Sequence, residues 1–125
     1  MLHHLSLGVA NLERAAAFYD AVLAPLGYVR VWSDATAIGY GPAGGGDKLA
    51  IKRVGAQVAV PGPRFHVAFA APSRKAVEDF HAEGLKYGGQ DNGRPGLRLA
   101  YGKNYYAAFV IDPDGHPLEA VIDRQ

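Results

Sequence analysis

The chain has 125 residues, 49% of them apolar and 20% charged, with a formal net charge of +1. That length fits one compact unit with a modest core, and the near-neutral charge offers no electrostatic footprint for nucleic acid or an anionic membrane. Cysteine is absent, which excludes disulfides, thiolate-ligated zinc and thiol catalysis, and no apolar run approaches the ~20 residues that span a bilayer. Met1-Leu-His-His lacks the basic and apolar stretches of a secretory signal, so a cytoplasmic location is expected.

Residues 2–9 alternate, with Leu5, Leu7 and Val9 on one face and His4, Ser6 and Gly8 on the other, which predicts a strand. Asn11 is placed to cap a helix running to about Ala24, whose apolar stripe is Ala15, Phe18, Tyr19, Val22 and Leu23, and Pro25 and Gly27 end it. Strands are predicted over 28–33, 36–40 and 49–54, the last two separated by the glycine-rich turn 41–46. Pro61-Gly-Pro63 joins this half to a second of the same order. A strand over 65–71 leads to a helix from Ser73 to about Tyr87, stopped by Gly88 and Gly89. Three more strands are expected over 97–101, 105–111 and 117–122, with Asp112-Pro-Asp-Gly115 as a turn. The whole is one domain, 1–125, made of two structural modules, 1–60 and 64–125, since either alone would leave a sheet face uncovered.

The halves repeat in detail. His4-Leu-Ser-Leu-Gly-Val-Ala-Asn-Leu-Glu-Arg-Ala-Ala-Ala-Phe18 aligns without a gap with His66-Val-Ala-Phe-Ala-Ala-Pro-Ser-Arg-Lys-Ala-Val-Glu-Asp-Phe80, at an offset of 62 residues. A strand packed on a helix turns its large apolar residues to that helix, which leaves His4 and His66 on the opposite, concave side. The same parity sends Glu119 inward between Leu118 and Ala120, and Lys52 inward after Ile51. Aligning the terminal strands of the two halves at an offset of 67 makes Lys52 the counterpart of Glu119. Two neutral imidazoles and a carboxylate suit Fe(II), Mn(II), Zn(II) or Ni(II), with positions left open for substrate or water. The competing reading is a metal-free cup in which Lys52 pairs with Glu119. His3, His81 and His116 are read as surface residues. The tract Gly41-Pro-Ala-Gly-Gly-Gly-Asp-Lys48 is not a phosphate loop, because Asp47 breaks the required ending and no helix follows.

The chain resembles the vicinal oxygen chelate superfamily of glyoxalase I, bleomycin and fosfomycin resistance proteins and extradiol dioxygenases. The residues carrying the resemblance are His4-Leu-Ser-Leu-Gly-Val9, Ala17-Phe18-Tyr19, Leu26-Gly27-Tyr28, His66-Val-Ala-Phe69 and the stretch from Ala107 through Asp112-Pro-Asp-Gly115 to Glu119. The resemblance implies an α+β fold in which two βαβββ modules form an open eight-stranded mixed-sheet cup around a metal. By position it puts the metal ligands at His4, His66 and Glu119. Two departures bear on the reaction. A fourth ligand of glyoxalase I is matched here by Lys52, which cannot ligate, so methylglyoxal chemistry is disfavoured. Extradiol enzymes carry an acid–base tyrosine where this chain has Phe109, which disfavours standard ring cleavage, although Tyr105 or Tyr106 offers a phenol nearby.

Three functions remain open. The first is a divalent-metal-dependent enzyme, a lyase, isomerase or oxygenase, acting on a small oxygenated molecule, with no residue assigned to proton transfer. The second is a metal-free binding protein of the bleomycin-resistance kind. The third is an accessory module that oligomerises. Lys52, Arg98, Tyr101, Tyr105, Tyr106 and Phe109 are the candidate substrate contacts. The expected partners are a small molecule and a second copy of the chain, since an open cup leaves sheet edges and apolar rims to cover.

Overall fold

The computed structural model describes residues 1–124. Strand β1 (Leu5–Val9) runs into helix α1 (Leu12–Leu23), whose first turn is closed by the Asn11 side chain accepting from the Arg14 N–H at 2.9 Å. A short 3-10 turn, Ala24–Leu26, carries the chain to Gly27, which takes φ 93 and so reverses direction where a side chain would be strained. Strands β2 (Val29–Ser33), β3 (Ala37–Gly41) and β4 (Leu49–Arg53) complete the first module. The second repeats it as β5 (Val67–Ala70), α2 (Arg74–Lys86), β6 (Gln90–Leu97), β7 (Tyr106–Ile111) and β8 (Pro117–Ile122), with Ser73 capping α2 through the Ala76 N–H.

The eight strands form two four-stranded mixed sheets, in the orders β1-β4-β3-β2 and β5-β8-β7-β6. In each, the first strand of the module lies parallel to its last and the remaining pairs are antiparallel. The expected α+β architecture of paired βαβββ modules is therefore present. No helix among the described residues is long and apolar enough to cross a membrane.

Parity along the strands holds. Leu7, Val9, Ile38, Tyr40, Leu49 and Ile51 from the first sheet and Val67, Ala108, Val110, Leu118 and Ala120 from the second are buried against the two helices. Phe18, Tyr19, Val22 and Leu23 of α1 and Val77 and Phe80 of α2 join them in one continuous core. The modules are thus packed on their helix sides, and each sheet turns its concave face away from that core.

The Asp112–Gly115 turn is the clasp between modules. Tyr19 on α1 donates to Asp112 Oδ2 at 2.5 Å, Asp114 Oδ1 accepts from the Ala10 N–H at 3.0 Å and from Arg14 at 2.9 Å, and His116 Nε2 bonds the Gly8 carbonyl at 2.7 Å. Burial raises the Tyr19 phenol well above its ordinary value, with the adjacent Asp112 charge reinforcing the shift, so it remains a donor.

Three expectations are corrected. The sixth strand occupies 90–97 rather than 97–101. Its sequence, Gln-Asp-Asn-Gly-Arg-Pro-Gly-Leu, lacks alternation, but it is an edge strand with register shifts, where proline and glycine are tolerated. His81 and His116 are buried, not exposed. The first is held by Asp91 at 2.8 Å and the second by the Gly8 carbonyl. The third correction is one of register. Ser6 faces Ala50 and Gly8 faces Lys52, whereas Ala68 faces Glu119. Since Ser6 and Ala68 are equivalent in the repeat, the counterpart of Glu119 is Ala50, and Lys52 corresponds to Val121.

Candidate functional site

The chemistry-bearing side chains gather on the concave face of the second module. His66 enters from the residue before β5, Glu119 from the middle of β8, and Phe109 from β7, directly opposite Glu119 in the ladder. Tyr105, immediately before β7, shares the parity of Phe109 and so faces the same way. His66 Nε2 stands 2.8 Å from Glu119 Oε1, and the Tyr105 hydroxyl donates to Glu119 Oε2 at 2.5 Å. A carboxylate only accepts, so both contacts put the hydrogen on the partner. Glu119 is 2% exposed, so its charge is confined to these two donors. Burial, and then the bond to Glu119, push the Tyr105 phenol upward.

His66, Tyr101, Tyr105, Phe109 and Glu119 line a cavity of about 280 Å³. The Tyr101 ring meets the Tyr105 ring edge-on at 5.3 Å. Arg98 lies over the Phe109 ring, with its guanidinium carbon 5.4 Å from the ring centroid. Arg98 does not itself line the cavity and meets it only through Phe109, and Tyr106 takes no part in it. One residue on from Tyr105, it points to the helix side, donates to Glu78 at 2.7 Å and lies under Arg74. Parity along β7 gives the reason.

The first module contributes no side chain to this cavity. His4 is exposed and its Nδ1 meets His3 Nδ1 at 2.8 Å. Among the described residues no group of three histidine or carboxylate side chains stands close enough to hold a metal. Lys52 is exposed on the concave face of its own module and makes no ion pair among the described residues, with Glu119 or any other carboxylate. The chemistry of the donors still suits a metal. His66 and Glu119, an imidazole and a carboxylate side by side, are the residues that would hold a divalent ion.

The sequence reading missed the glycines that shape both concave faces. In the second module Gly93 pairs with Phe109, and a Cβ there would come within 2.8 Å of the ring. In the first, Gly39 pairs with Ala50 and lies under the Trp32 indole, 2.2 Å from where a Cβ would sit. Each module thus lays one aromatic ring across one glycine of the neighbouring strand. Isolated glycines inside strand patterns are the signal that marks such close approaches.

Comparison with known proteins agrees with this architecture. The family model for the Glyoxalase/Bleomycin resistance protein/Dioxygenase superfamily matches residues 1–120. A glyoxalase/bleomycin resistance protein from Albidiferax ferrireducens is 32% identical, with 97% of each chain covered and a TM-score of 0.80. A glyoxalase-related enzyme from Fulvimarina pelagi is 24% identical over 97% of this chain and 87% of its own, with a TM-score of 0.73. The fosfomycin resistance protein FosX from Mesorhizobium loti shares the fold at 18% identity, with a TM-score of 0.69 over 99% of this chain and 92% of its own. No protein of curated function matches the chain. With a family model spanning nearly its whole length and both βαβββ modules in place, the chain belongs to the glyoxalase/bleomycin resistance protein/dioxygenase superfamily.

Proposed function

We propose that the chain is a divalent-metal-dependent enzyme acting on a small oxygenated molecule, with a metal centre made of His66 and Glu119 from one copy and His4 from a second. The observation that carries this reading is the 2.8 Å approach of His66 Nε2 to Glu119 Oε1 on an open concave face. His4 occupies the equivalent place on the other module's face. The helix-side packing of the modules keeps the two faces apart within one chain, so a homodimer that pairs the first module of one copy with the second module of the other would complete each cup. A bound divalent ion would serve as a Lewis acid for a carbonyl or a pair of neighbouring oxygens.

The chain's own residues have separate tasks in this reading. Glu119 supplies the only negative charge and is oriented by Tyr105. Tyr101, Tyr105 and Phe109 exclude water from the ligand's flank. Phe109 carries no proton, and both Tyr105 and His66 are committed to Glu119, so this reading assigns proton transfer to none of these residues. Ala50 at the position equivalent to Glu119 provides no fourth ligand, which continues to disfavour methylglyoxal isomerisation.

A second reading rests on one observation of its own. Both oxygens of Glu119 already have donors, so the site is complete as a metal-free binding surface. Metal analysis and calorimetry on protein made without a histidine tag separate the two. The enzyme reading expects stoichiometric Zn(II), Mn(II), Fe(II) or Ni(II) uptake that Glu119→Gln weakens by at least about tenfold, since it removes the one anionic donor. Equal affinity in the wild type and the variant would favour the metal-free reading.

A further inference from the structure

We infer that Arg98 is the anchor for the oxyanion of a small acid bound over Phe109, which makes the substrate of the proposed site a carboxylate or phosphonate with a planar apolar body. The inference rests on the concave face being the ligand surface, but not on the metal. Arg98 follows directly on β6 and folds back over it. Its Nη1 donates to the Gly96 carbonyl at 2.9 Å and its Nη2 to the Arg94 carbonyl at 2.7 Å. Its own backbone N–H is fixed on the Tyr105 carbonyl at 2.8 Å. The guanidinium is therefore held in place before any ligand arrives, stacked on the Phe109 ring.

Three features make this a binding group rather than a structural ion pair. First, both partners are backbone carbonyls, which orient the group without neutralising it, and Arg98 has no carboxylate partner among the described residues. Second, a guanidinium has five N–H donors and these bonds use two, leaving others for a forked contact with two oxygens. Third, the strand beneath it is hollowed by glycine. A Cβ at Gly93 or at Gly96 would each come within 3.2 Å of an Arg98 nitrogen. Gly93 also has φ 148, which disfavours any other residue.

The neighbouring charge agrees. The one carboxylate lining the cavity, Glu119, is buried and doubly bonded, so it does not compete for Arg98. The cavity that Phe109 lines with Tyr101 and Tyr105 meets the Arg98–Phe109 stack at the Phe109 ring, and its volume of about 280 Å³ limits the ligand to a small molecule.

The test is a titration of the purified protein with benzoate, phenylphosphonate and neutral benzamide, followed by NMR at the Gly93, Gly96 and Arg98 N–H signals, with chelator and again with Zn(II). At least one of the two acids should bind about tenfold or more tightly than benzamide, the size of one charge-assisted contact, and the tighter acid identifies the oxyanion. Arg98→Gln should erase that preference and Arg98→Lys should restore part of it. Discrimination that persists under chelator supports the inference even if the metal reading fails. Equal binding of acids and amide, or a preference that survives Arg98→Gln, overturns it, and does so even where Zn(II) binds through His66 and Glu119.

Discussion

Ala50 of β4 and Glu119 of β8 occupy the same place in their two sheets. Each lies on the concave side, opposite the residue two positions after the repeated histidine. The pseudo-symmetric site is therefore lopsided, with a buried carboxylate in one module and a methyl group in the other. Lys52 stands two residues further along β4, about 7 Å away. It is not the counterpart of Glu119 that an offset of 67 would make it.

That register carries a prediction about ligation. Replacing Lys52 with Met should change Zn(II) affinity by less than about threefold, because a flexible, hydrated ammonium beyond the ligand shell is well screened. Replacing Ala50 with Glu, with Trp32→Ala to remove the indole that covers the neighbouring Gly39, should instead strengthen Zn(II) or Ni(II) binding by at least about tenfold, by adding an anionic ligand. Calorimetry that finds the larger gain in Lys52→Met would restore the earlier register.

Trp32 is the only tryptophan, so it reports on its own face of the cup. A methyl group at Gly39 would stand 2.2 Å from the indole nitrogen and displace the ring. Gly39→Ala should therefore shift tryptophan emission to the red, while far-ultraviolet circular dichroism stays unchanged. An unshifted spectrum would mean that the indole does not rest on Gly39.

The clasp between modules has a thermodynamic signature. Tyr19→Phe removes a donor from buried Asp112 and should cost about 1.5–3 kcal/mol in chemical unfolding, the range for bonds to charged groups. Burial, chiefly, raises the Tyr19, Tyr40 and Tyr105 phenols above the ordinary value of 10.0. A group whose pKa is raised on folding stabilises the protein fully below its unfolded value and loses that contribution as pH climbs toward the folded one. Stability should hold below about pH 10 and fall above it, with a shallower fall in Tyr19→Phe. Parallel alkaline limbs in the two proteins would contradict the role given to Tyr19.

Gly93→Ala combines a disfavoured backbone angle with a methyl group 2.8 Å from Phe109. It should destabilise by about 1–3 kcal/mol and broaden the Arg98 side-chain resonance. A fully stable variant with an unchanged Arg98 signal would mean that the Arg98–Phe109 stack does not depend on the glycine.

Much of this was legible in the sequence, for definite reasons. Asn11 and Ser73 announce their helices because a side-chain oxygen before an apolar stripe has a free N–H to accept from. His66, Phe109 and Glu119 share a face because alternation fixes which side of a strand a residue takes. The register of β4 was not legible for the same reason. A slip of two residues keeps every apolar side chain on the helix side, so hydrophobic alternation cannot distinguish Ala50 from Lys52. The edge strand 90–97 hides because its residues are chosen for bulges and close approach rather than burial. The interment of His116 depends on a carbonyl at Gly8, more than 100 residues away in the chain, that no local pattern reveals.

The most direct test of the shared cup is complementation between two inactive halves. His4→Ala and Glu119→Gln should each bind Zn(II) weakly when pure. Mixed, unfolded and refolded together, they should regain high-affinity sites, about one cup in four under random pairing, because a mixed dimer holds one cup with both residues intact. Calorimetry that finds this fraction of tight sites is the expected result. A mixture that binds no better than its two components would contradict a site built from His66 and Glu119 of one copy and His4 of another.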